Sequence, residues 1–338
     1  MGQEKILIIG STHPAALELV FSKELTRLGV HNKVLGIQNI FFEYYRKSIW
    51  NKIKYRIGIS KIESLLQELI KVEITKFKPK MVLVFKGMEV TSNTLIWIKS
   101  KGIKIVNYNP DSPFIFSGRG SGNKNITDSI SLYDIYFTYD LQIKNELDRR
   151  GVTSGIIPFG FDSNGFNFSE LKKDDEILKL CFLGNADKFR FEFIQELAKK
   201  GIKIDVFGEN WFPYKLHSNI SKFDALYGNQ FWNTLQKYAV QLNLLRPHNL
   251  TSHNMRSFDI PGAGGIMLAP HTRDHDFFFK DGSEVFLFKN LYDAVEKVNM
   301  ILGLNFEERH IIRSKARRES IRAHTYEKRV NDMIQLLK

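Results

Sequence analysis

The stretch LKLCFLGNADKFRFEFIQELAKKGIKIDVFG, residues 178–208, decides how the chain is read. Its first six residues form an apolar run that stops at Gly184-Asn185. Residues 189–200 carry apolar side chains at helical spacing and stop at Gly201; residues 202–207 form a second apolar run closed by Gly208. Strand, helix, strand in this compass is a crossover unit, and crossover units build parallel sheets. Glycine at a strand end lets a backbone amide come close to a phosphate, and the helix that follows presents an end that favours negative charge.

Working outward, the same alternation fills the chain. Residues 5–10, 33–37, 81–85, 103–108, 135–139 and 155–158 read as strands, with helical patterns at 14–28, 62–76, 91–101 and 141–150. Residues 161–177 have the composition of a linker, polar and containing Gly165 and Lys172-Lys-Asp-Asp-Glu176. Beyond the opening stretch, 240–245, 266–269 and 285–288 read as strands, 230–239 and 291–302 as helices, and the tail from Phe306 as further helix. Alternation of this kind predicts an α/β protein of two doubly wound, Rossmann-like domains facing across a cleft. The expected division is an N-terminal domain over 1–160, the linker 161–177, a second domain over 178–310, and helices over 311–338 packing back on the first domain. Ligands in open α/β sheets sit at the carboxyl ends of strands, so those ends carry the candidate residues.

Bulk properties narrow the function. A hydrophobic fraction of 43% and a charged fraction of 25% in 338 residues suit an ordinary soluble protein. The absence of any run of eighteen apolar residues argues against a membrane span. The N-terminus shows no signal-peptide pattern, and Ile6 stands where a myristoylation motif needs Ser or Thr. The single cysteine, Cys181, can form no intramolecular disulfide, which suits a reducing cytoplasm. A formal net charge of +12 points to nucleic acid, an anionic membrane surface or phosphorylated small molecules as partners. No nucleic-acid recognition motif accompanies it. One basic cluster, Arg46 to Arg56, is interleaved with Phe41, Phe42, Tyr44, Tyr45, Trp50 and Tyr55. It reads either as a connector helix or, through 41–56, as a peripheral membrane contact at the inner face of the plasma membrane. The other, Arg-Ser-Lys-Ala-Arg-Arg at 313–318, reads as a solvated helix face.

Among the strand-end residues, Gly184, Asn185, Lys188 and Arg190 follow one strand, Phe207 and Gly208 another, and Arg246 a third. Lys188 and Arg190 carry the charge to neutralise a diphosphate. Arg256 and Asp259 are one helical turn apart, so they form either a simple ion pair or one wall of a pocket. In the first half, His13 and Asp111 follow strands and are the candidates for a general base. Asp274-His-Asp276 imitates a metal-binding Asp-x-Asp but reads as the start of a surface helix. Gly118-Arg-Gly-Ser-Gly122 lacks the Gly-Lys-Ser/Thr ending of a P-loop and reads as a flexible loop; Gly10-Ser-Thr-His13 lacks the Gly-x-Gly-x-x-Gly of a nicotinamide-binding turn.

The order Phe182-Leu-Gly-Asn185, Arg190, Val206-Phe-Gly208, Trp211, Leu226-Tyr-Gly228, Arg256-Ser-Phe-Asp259, Gly262-Ala-Gly-Gly-Ile-Met-Leu268 and Asp281-Gly-Ser-Glu284 resembles the CgeB-like glycosyltransferases, a spore maturation protein-like branch of the group 1 enzymes with the GT-B fold. The likeness covers residues 178–300 well and the first half loosely, through 82–87, Asp111-Ser-Pro113 and 157–162. It implies a nucleotide sugar, UDP-, GDP- or dTDP-linked, with Asp259 on the ribose hydroxyls, Gly264 and Gly265 close to the diphosphate, Asn185 and Arg190 near the departing group, and Phe207 and Gly208 near the base. It further implies transfer to a glycan, lipid-linked glycan or protein acceptor with no cofactor and no metal. Retaining relatives carry two glutamates eight residues apart; here Asp259 takes the place of one and Thr251 of the other. A non-catalytic nucleotide- or polyanion-binding module of the same fold is the alternative.

Overall fold

Apolar runs too short for helices become strands. The computed structural model describes residues 5–14, 16–116, 121–246 and 249–337. Its strands are β1 (Lys5–Ile9), β2 (His31–Leu35), β3 (Met81–Phe85), β4 (Lys104–Asn109), β5 (Ile135–Thr138), β6 (Ser154–Ile156), β7 (Ile177–Leu183), β8 (Ile204–Phe207), β9 (Ile220–Phe223), β10 (Tyr238–Leu242), β11 (Met267–Pro270) and β12 (Phe286–Phe288). Their pairings are parallel. Parallel sheets are covered on both faces, which is why these strands are continuous apolar runs. Leu7, Ile8 and Ile9 of β1 and Val82, Leu83 and Val84 of β3 are all at most 1% exposed.

The chain divides into two compact units, Met1–Pro158 with Arg329–Lys338, and Phe159–Lys328. The first holds the sheet β2-β1-β3-β4-β5-β6 and the second the sheet β12-β11-β10-β7-β8-β9. Connectivity reverses between β1 and β3 in one and between β7 and β10 in the other. At such a point the connections diverge to opposite faces and leave a crevice at the strand carboxyl ends.

Several details differ from the reading of the sequence. β9 escaped it because this short edge strand is polar: Ile220 is buried, while Ser221, Lys222 and Phe223 are exposed. The helix expected over 230–239 is Gly228–Lys237, and Tyr238 and Ala239 already belong to β10. Residues 161–177 are no loose linker. Phe161 is fully buried and bridges Thr325, and Phe166 stacks on Trp232 with centroids 4.8 Å apart. These aromatic rings supply apolar area that a linker would lack. The helix Phe306–Ala323 belongs to the second unit; it is Arg329–Lys338 that joins the first, where Val330 and Met333 are fully buried and Lys104 Nζ donates to Leu337 O over 2.7 Å.

The run at 313–318 is a solvated face only in part: Lys315 and Arg318 are exposed, but Arg313 is buried. The Glu176 carboxylate receives Arg309 Nε at 2.9 Å and Nη2 at 2.6 Å, and Arg313 Nη1 lies 2.6 Å from it, with all three side chains 4% exposed. Arg313 Nη2 also donates to Tyr238 O, and Arg317 donates to Gly262 O while its guanidinium covers the Phe168 ring at 3.5 Å. Buried charges survive only when paired and hydrogen-bonded, and this helix buries Arg309 and Arg313, leaving Arg318 and Arg322 exposed, because a carboxylate and main-chain carbonyls await the first two. Burial pushes the Glu176 carboxyl up, but the two arginines outweigh it and hold the group below its ordinary value.

Candidate functional site

In the second unit the crevice lies between the ends of β7 and β10, and Arg190 ties those ends together. Asp187 caps the helix Lys188–Lys199 by accepting from Arg190 N at 3.0 Å, which fixes the Arg190 side chain at the first turn. Its Nη1 donates to Asn185 O over 3.1 Å and its Nη2 to Leu244 O over 2.9 Å. The side chain is buried, and burial lowers its pKa to about 10; Asp187 pulls the other way, while Arg246 and Arg256 stand close enough to lower it further. Arg190, Arg246 and Arg256 therefore share one electrostatic neighbourhood.

Backbone around them is set by close packing. Trp211, 1% exposed, donates Nε1 to Gly184 O over 3.1 Å, and Asn185 Oδ1 accepts from Glu209 N over 2.9 Å. Gly208 has φ +149, and a Cβ there would lie 2.4 Å from Gly184 O. The glycine is thus required by the approach of its own chain, whatever a ligand adds. Phe207 stacks on Phe223, with ring centroids 4.8 Å apart.

Arg256 and Asp259 lie on the helix Arg256–Gly262 and do pair, Nη1 to Oδ2 at 2.6 Å. The Arg256 guanidinium covers the Phe231 ring at 4.2 Å, and its buried Nε has no hydrogen-bond partner in the protein. Burial raises the Asp259 carboxyl to about 6, opposed by Arg256 and reinforced by the charge of Asp162. The loop before this helix is held by a polar network that the sequence alone did not reveal. Asn254 Nδ2 donates to Asn243 Oδ1 at 2.9 Å, and Asn243 Nδ2 to Ser257 Oγ at 3.1 Å. Ser257 Oγ meets His275 Nε2 at 2.7 Å, while His275 Nδ1 meets Pro270 O at 2.8 Å. A carbonyl only accepts, so Nδ1 carries the proton and Ser257 donates to Nε2. Burial holds His275 down at about 4, hence neutral.

Ser252, His253 and Asp274 meet in the same network, but not as a nucleophilic triad. Ser252 and His253 are fully buried, and the Ser252 hydroxyl donates to Asp274 Oδ2 over 2.6 Å beside His253 Nδ1 at 2.6 Å. Asp274, half of the apparent Asp-x-Asp, is therefore committed inward. Burial raises its carboxyl, and the bonds from His253 and Ser252 more than reverse that. Among the described residues no group of three or more His, Cys, Asp or Glu is placed to hold a metal. The signal that could have disclosed the network is the polar run at 249–254 after an apolar strand.

Three of the expected ligand residues, Lys188, Gly264 and Gly265, stand apart from this crevice. Lys188 is exposed along its helix, 3.9 Å from Glu192 at the next turn, and does not enter the crevice. Gly264 and Gly265 follow the helix and precede β11, so they lie toward the amino edge of the sheet, away from the ends of β7 and β10. Gly264 has φ +85, and a Cβ on Gly265 would fall 2.4 Å from Leu235 O: helix exit and packing account for both glycines. Arg246, four residues past the end of β10, is exposed and stays a candidate, and residues 247 and 248 beyond it lie outside the described residues.

In the first unit, His13 and Asp111 do come together, lining a cavity of about 370 Å³ with Ser11, Glu18, Gln38 and Lys86. Asp111 Oδ2 is 2.8 Å from Lys86 Nζ. Glu18, missed by the sequence reading, is buried under Gly10 and accepts from Ser11 N over 2.7 Å; burial raises its carboxyl, partly offset by its own amide and that of Ser11. Of the glycine-rich stretch, residues 117–120 lie outside the described residues.

The glycosyl transferase-like family model matches residues 190–335. No curated protein matches the chain. Among solved structures the chain is similar to sucrose-phosphate synthase from Thermosynechococcus elongatus, with TM-score 0.68 and 9% identity over 99% of this chain and 98% of that one. It is similar to Anabaena HepE in complex with UDP-glucose, with TM-score 0.67 and 11% identity over 98% and 99%. A glycosyltransferase from Rickettsia africae ESF-5 gives TM-score 0.67 and 11% identity over 99% and 98%. At such identities the likeness is one of fold. The two parallel six-stranded sheets with flanking helices are those of the GT-B fold.

Proposed function

We propose that the protein is a glycosyltransferase that binds a nucleotide sugar at the carboxyl ends of β7 and β10, as the CgeB-like resemblance implies. The observation that carries this reading is Arg190 spanning the switch point through Asn185 O and Leu244 O, two residues before Arg246, with the Arg256–Asp259 pair on the helix that follows and Asp259 buried. Arg190 spends its amino groups on holding the strand ends; Arg246 and Arg256 are the cations that meet the diphosphate. Asp259 accepts from ribose hydroxyls with the oxygen that Arg256 leaves. UDP is the first nucleotide to test, because HepE, which shares the fold, was solved with UDP and with UDP-glucose.

In the transfer, the acceptor oxygen bonds to the anomeric carbon as the bond from that carbon to the diphosphate oxygen breaks. The diphosphate leaves with the electron pair, its charge met by arginines and without need of a metal. The acceptor proton goes to a base, for which His13 and Asp111 are the candidates. Thr251, exposed in place of a glutamate, supplies no second carboxylate.

The deciding experiment measures release of nucleoside diphosphate from UDP-, GDP- and dTDP-sugars with and without glycan acceptors. Release that depends on acceptor is expected; tight binding without turnover would favour the non-catalytic module. An ionised carboxylate accepts hydrogen bonds from hydroxyls more strongly than the protonated acid does, so affinity for UDP-glucose should rise as pH increases through about 6. UDP-glucose is the better probe than UDP, whose terminal phosphate titrates in the same range. A flat profile would remove Asp259 from the site.

The acceptor we propose is lipid-linked, met at the inner face of the plasma membrane through 41–56. No helix among the described residues is long and apolar enough to cross a membrane, so such contact would be peripheral. The helix Ile49–Arg56 and the turn after it leave Ile49, Trp50, Ile57 and Ile59 each more than 60% exposed. Arg46, Lys47 and Lys54 stand exposed around them. Apolar side chains ringed by cations suit an anionic interface, each cation adding about 1 kcal/mol near the surface. The protein is expected to sediment with phosphatidylglycerol vesicles and not with phosphatidylcholine alone, and Trp50→Ala with Lys54→Glu to weaken that at least tenfold. Equal behaviour on both vesicles would end the proposal.

A further inference from the structure

A cavity of about 680 Å³ in the first unit lies apart from the donor-site residues; it shares Gln38 with the His13 cavity, and its lining residues Phe41, Phe42, Tyr45, Tyr55 and Arg56 belong to the 41–56 segment whose outer face is proposed above to meet the membrane. Its wall is made by the helices Ile37–Lys47 and Ile49–Arg56, which present aromatic rings inward while Trp50 and Ile49 face out. Phe41 stacks on Tyr45 at 5.6 Å, meets Tyr55 edge-on at 4.9 Å, and touches Phe42 at 5.7 Å. Opposite this wall stand two carboxyl groups, Glu63 and Glu89.

Glu89 is placed with some care. It follows β3 by way of Lys86 and Gly87, both at positive φ (+61 and +98). Such a turn carries strain for the lysine and persists only where surrounding structure enforces it. Gln67 holds the turn by donating to Glu89 O over 3.0 Å, and Asn123 and Asn125 both donate to Met88 O over 2.8 Å. The carboxyl itself is raised to about 7, first by burial; its own amide, Lys86 and Gln38 oppose this, and Glu18 reinforces it. Glu63 and Glu89 in turn raise the Tyr55 phenol, after burial.

The chemistry of this lining selects its occupant. Above the pKa of Glu89 the two carboxylates outnumber Arg56, the only cation among the described lining residues, so the cavity offers a phosphate or other anion no net attraction, and the hydrogen-bonding needs of these groups make a poor seat for an acyl chain. Aromatic faces cover the C–H face of a ring, and carboxylates accept from adjacent hydroxyls. A neutral sugar offers both surfaces at once. We infer that this cavity binds a neutral, hydroxyl-bearing sugar ring, laid against Phe41, Tyr45 and Tyr55 with its hydroxyls bonded to Glu89 and Glu63. It thereby names the acceptor class of the proposed transferase, and on that reading alone rests its description as an acceptor site.

The test uses the full chain without nucleotide and follows binding of the methyl glycosides of glucose, galactose, mannose and N-acetylglucosamine by saturation-transfer NMR and titration. At least one should bind with a Kd on the order of millimolar. Tyr45→Ala should weaken it tenfold or more, and the isosteric Glu89→Gln fivefold or more at pH 8, where the wild-type carboxyl is ionised. Glucose 6-phosphate should bind more weakly than the matching glycoside. Absence of binding by all four glycosides, binding indifferent to both substitutions, or preference for the phosphate would each overturn the inference. UDP-glucose is titrated in parallel. Its failure to bind while a glycoside does would remove the donor reading and sustain this one.

Discussion

Arg256→Ala is expected to lower the affinity for UDP-glucose at least a hundredfold while leaving the chain folded. Arg256 contributes charge-assisted hydrogen bonds, each worth about 1.5–3 kcal/mol, so loss of two amounts to roughly 3–6 kcal/mol. A hundredfold change needs only about 2.8 kcal/mol. The substitution also strips Asp259 of its partner at 2.6 Å. Because Arg256 is what opposes the burial-driven rise of the Asp259 pKa, that carboxyl should climb above its present value of about 6 and protonate rather than stay buried and charged. The fold should therefore tolerate the change at a cost of about 1–3 kcal/mol. Arg256→Lys restores charge without the fork and should recover part of the affinity. Titration of UDP-glucose against the variants, with circular dichroism as the control for folding, decides it. Unaltered affinity in the alanine variant would place the diphosphate elsewhere.

The second large effect concerns stability. Glu176→Ala removes the carboxylate that holds Arg309 and Arg313, leaving two buried guanidinium groups facing each other. Breaking a buried ion pair by deleting one partner costs about 3–5 kcal/mol. With two compact units, a single transition is not assured. The loss should be read by hydrogen exchange in β7 and β10, which flank the cluster, and should spare β1 and β3. The sign with pH follows from the lowered Glu176 pKa. Its stabilisation is complete above the unfolded value near 4.5 and is lost as pH falls through the lower folded value. Wild type should thus lose stability in that acid window by more than the alanine variant does. A cost under about 1 kcal/mol would show that the pair merely repays its desolvation.

Fold class was legible because parallel strands are buried on both faces and announce themselves as unbroken apolar runs, as in Met81–Phe85 and Ile177–Leu183. Edge strand β9 was not, since its solvent face reads as loop. At the site, Arg256, Asp259 and Arg190 were recognisable as charges beside strand ends. Their roles were not, because which carbonyl or carboxylate an arginine meets depends on residues far along the chain, such as Leu244 for Arg190. Gly264 and Gly265 were misread for a related reason: a glycine marks a close approach without saying to what, and here the neighbour is Leu235 O. Glu89 and Glu18 carried no local signal at all. Glu18 in the first turn of a helix and Glu89 ahead of one lie in ordinary sequence, and each gains its character only from burial in the fold.

The first unit draws its last residues, Arg329–Lys338, from beyond the whole of the second. On a translating ribosome, therefore, the order of completion is inverted. At about 5–20 residues per second, Phe159–Lys328 is made during roughly 8–34 s in which the earlier sheet lacks the segment that carries the buried Val330 and Met333. The half of the protein synthesised first is the half finished last, and it is in that interval that its apolar surface is open to chaperones or to misassembly.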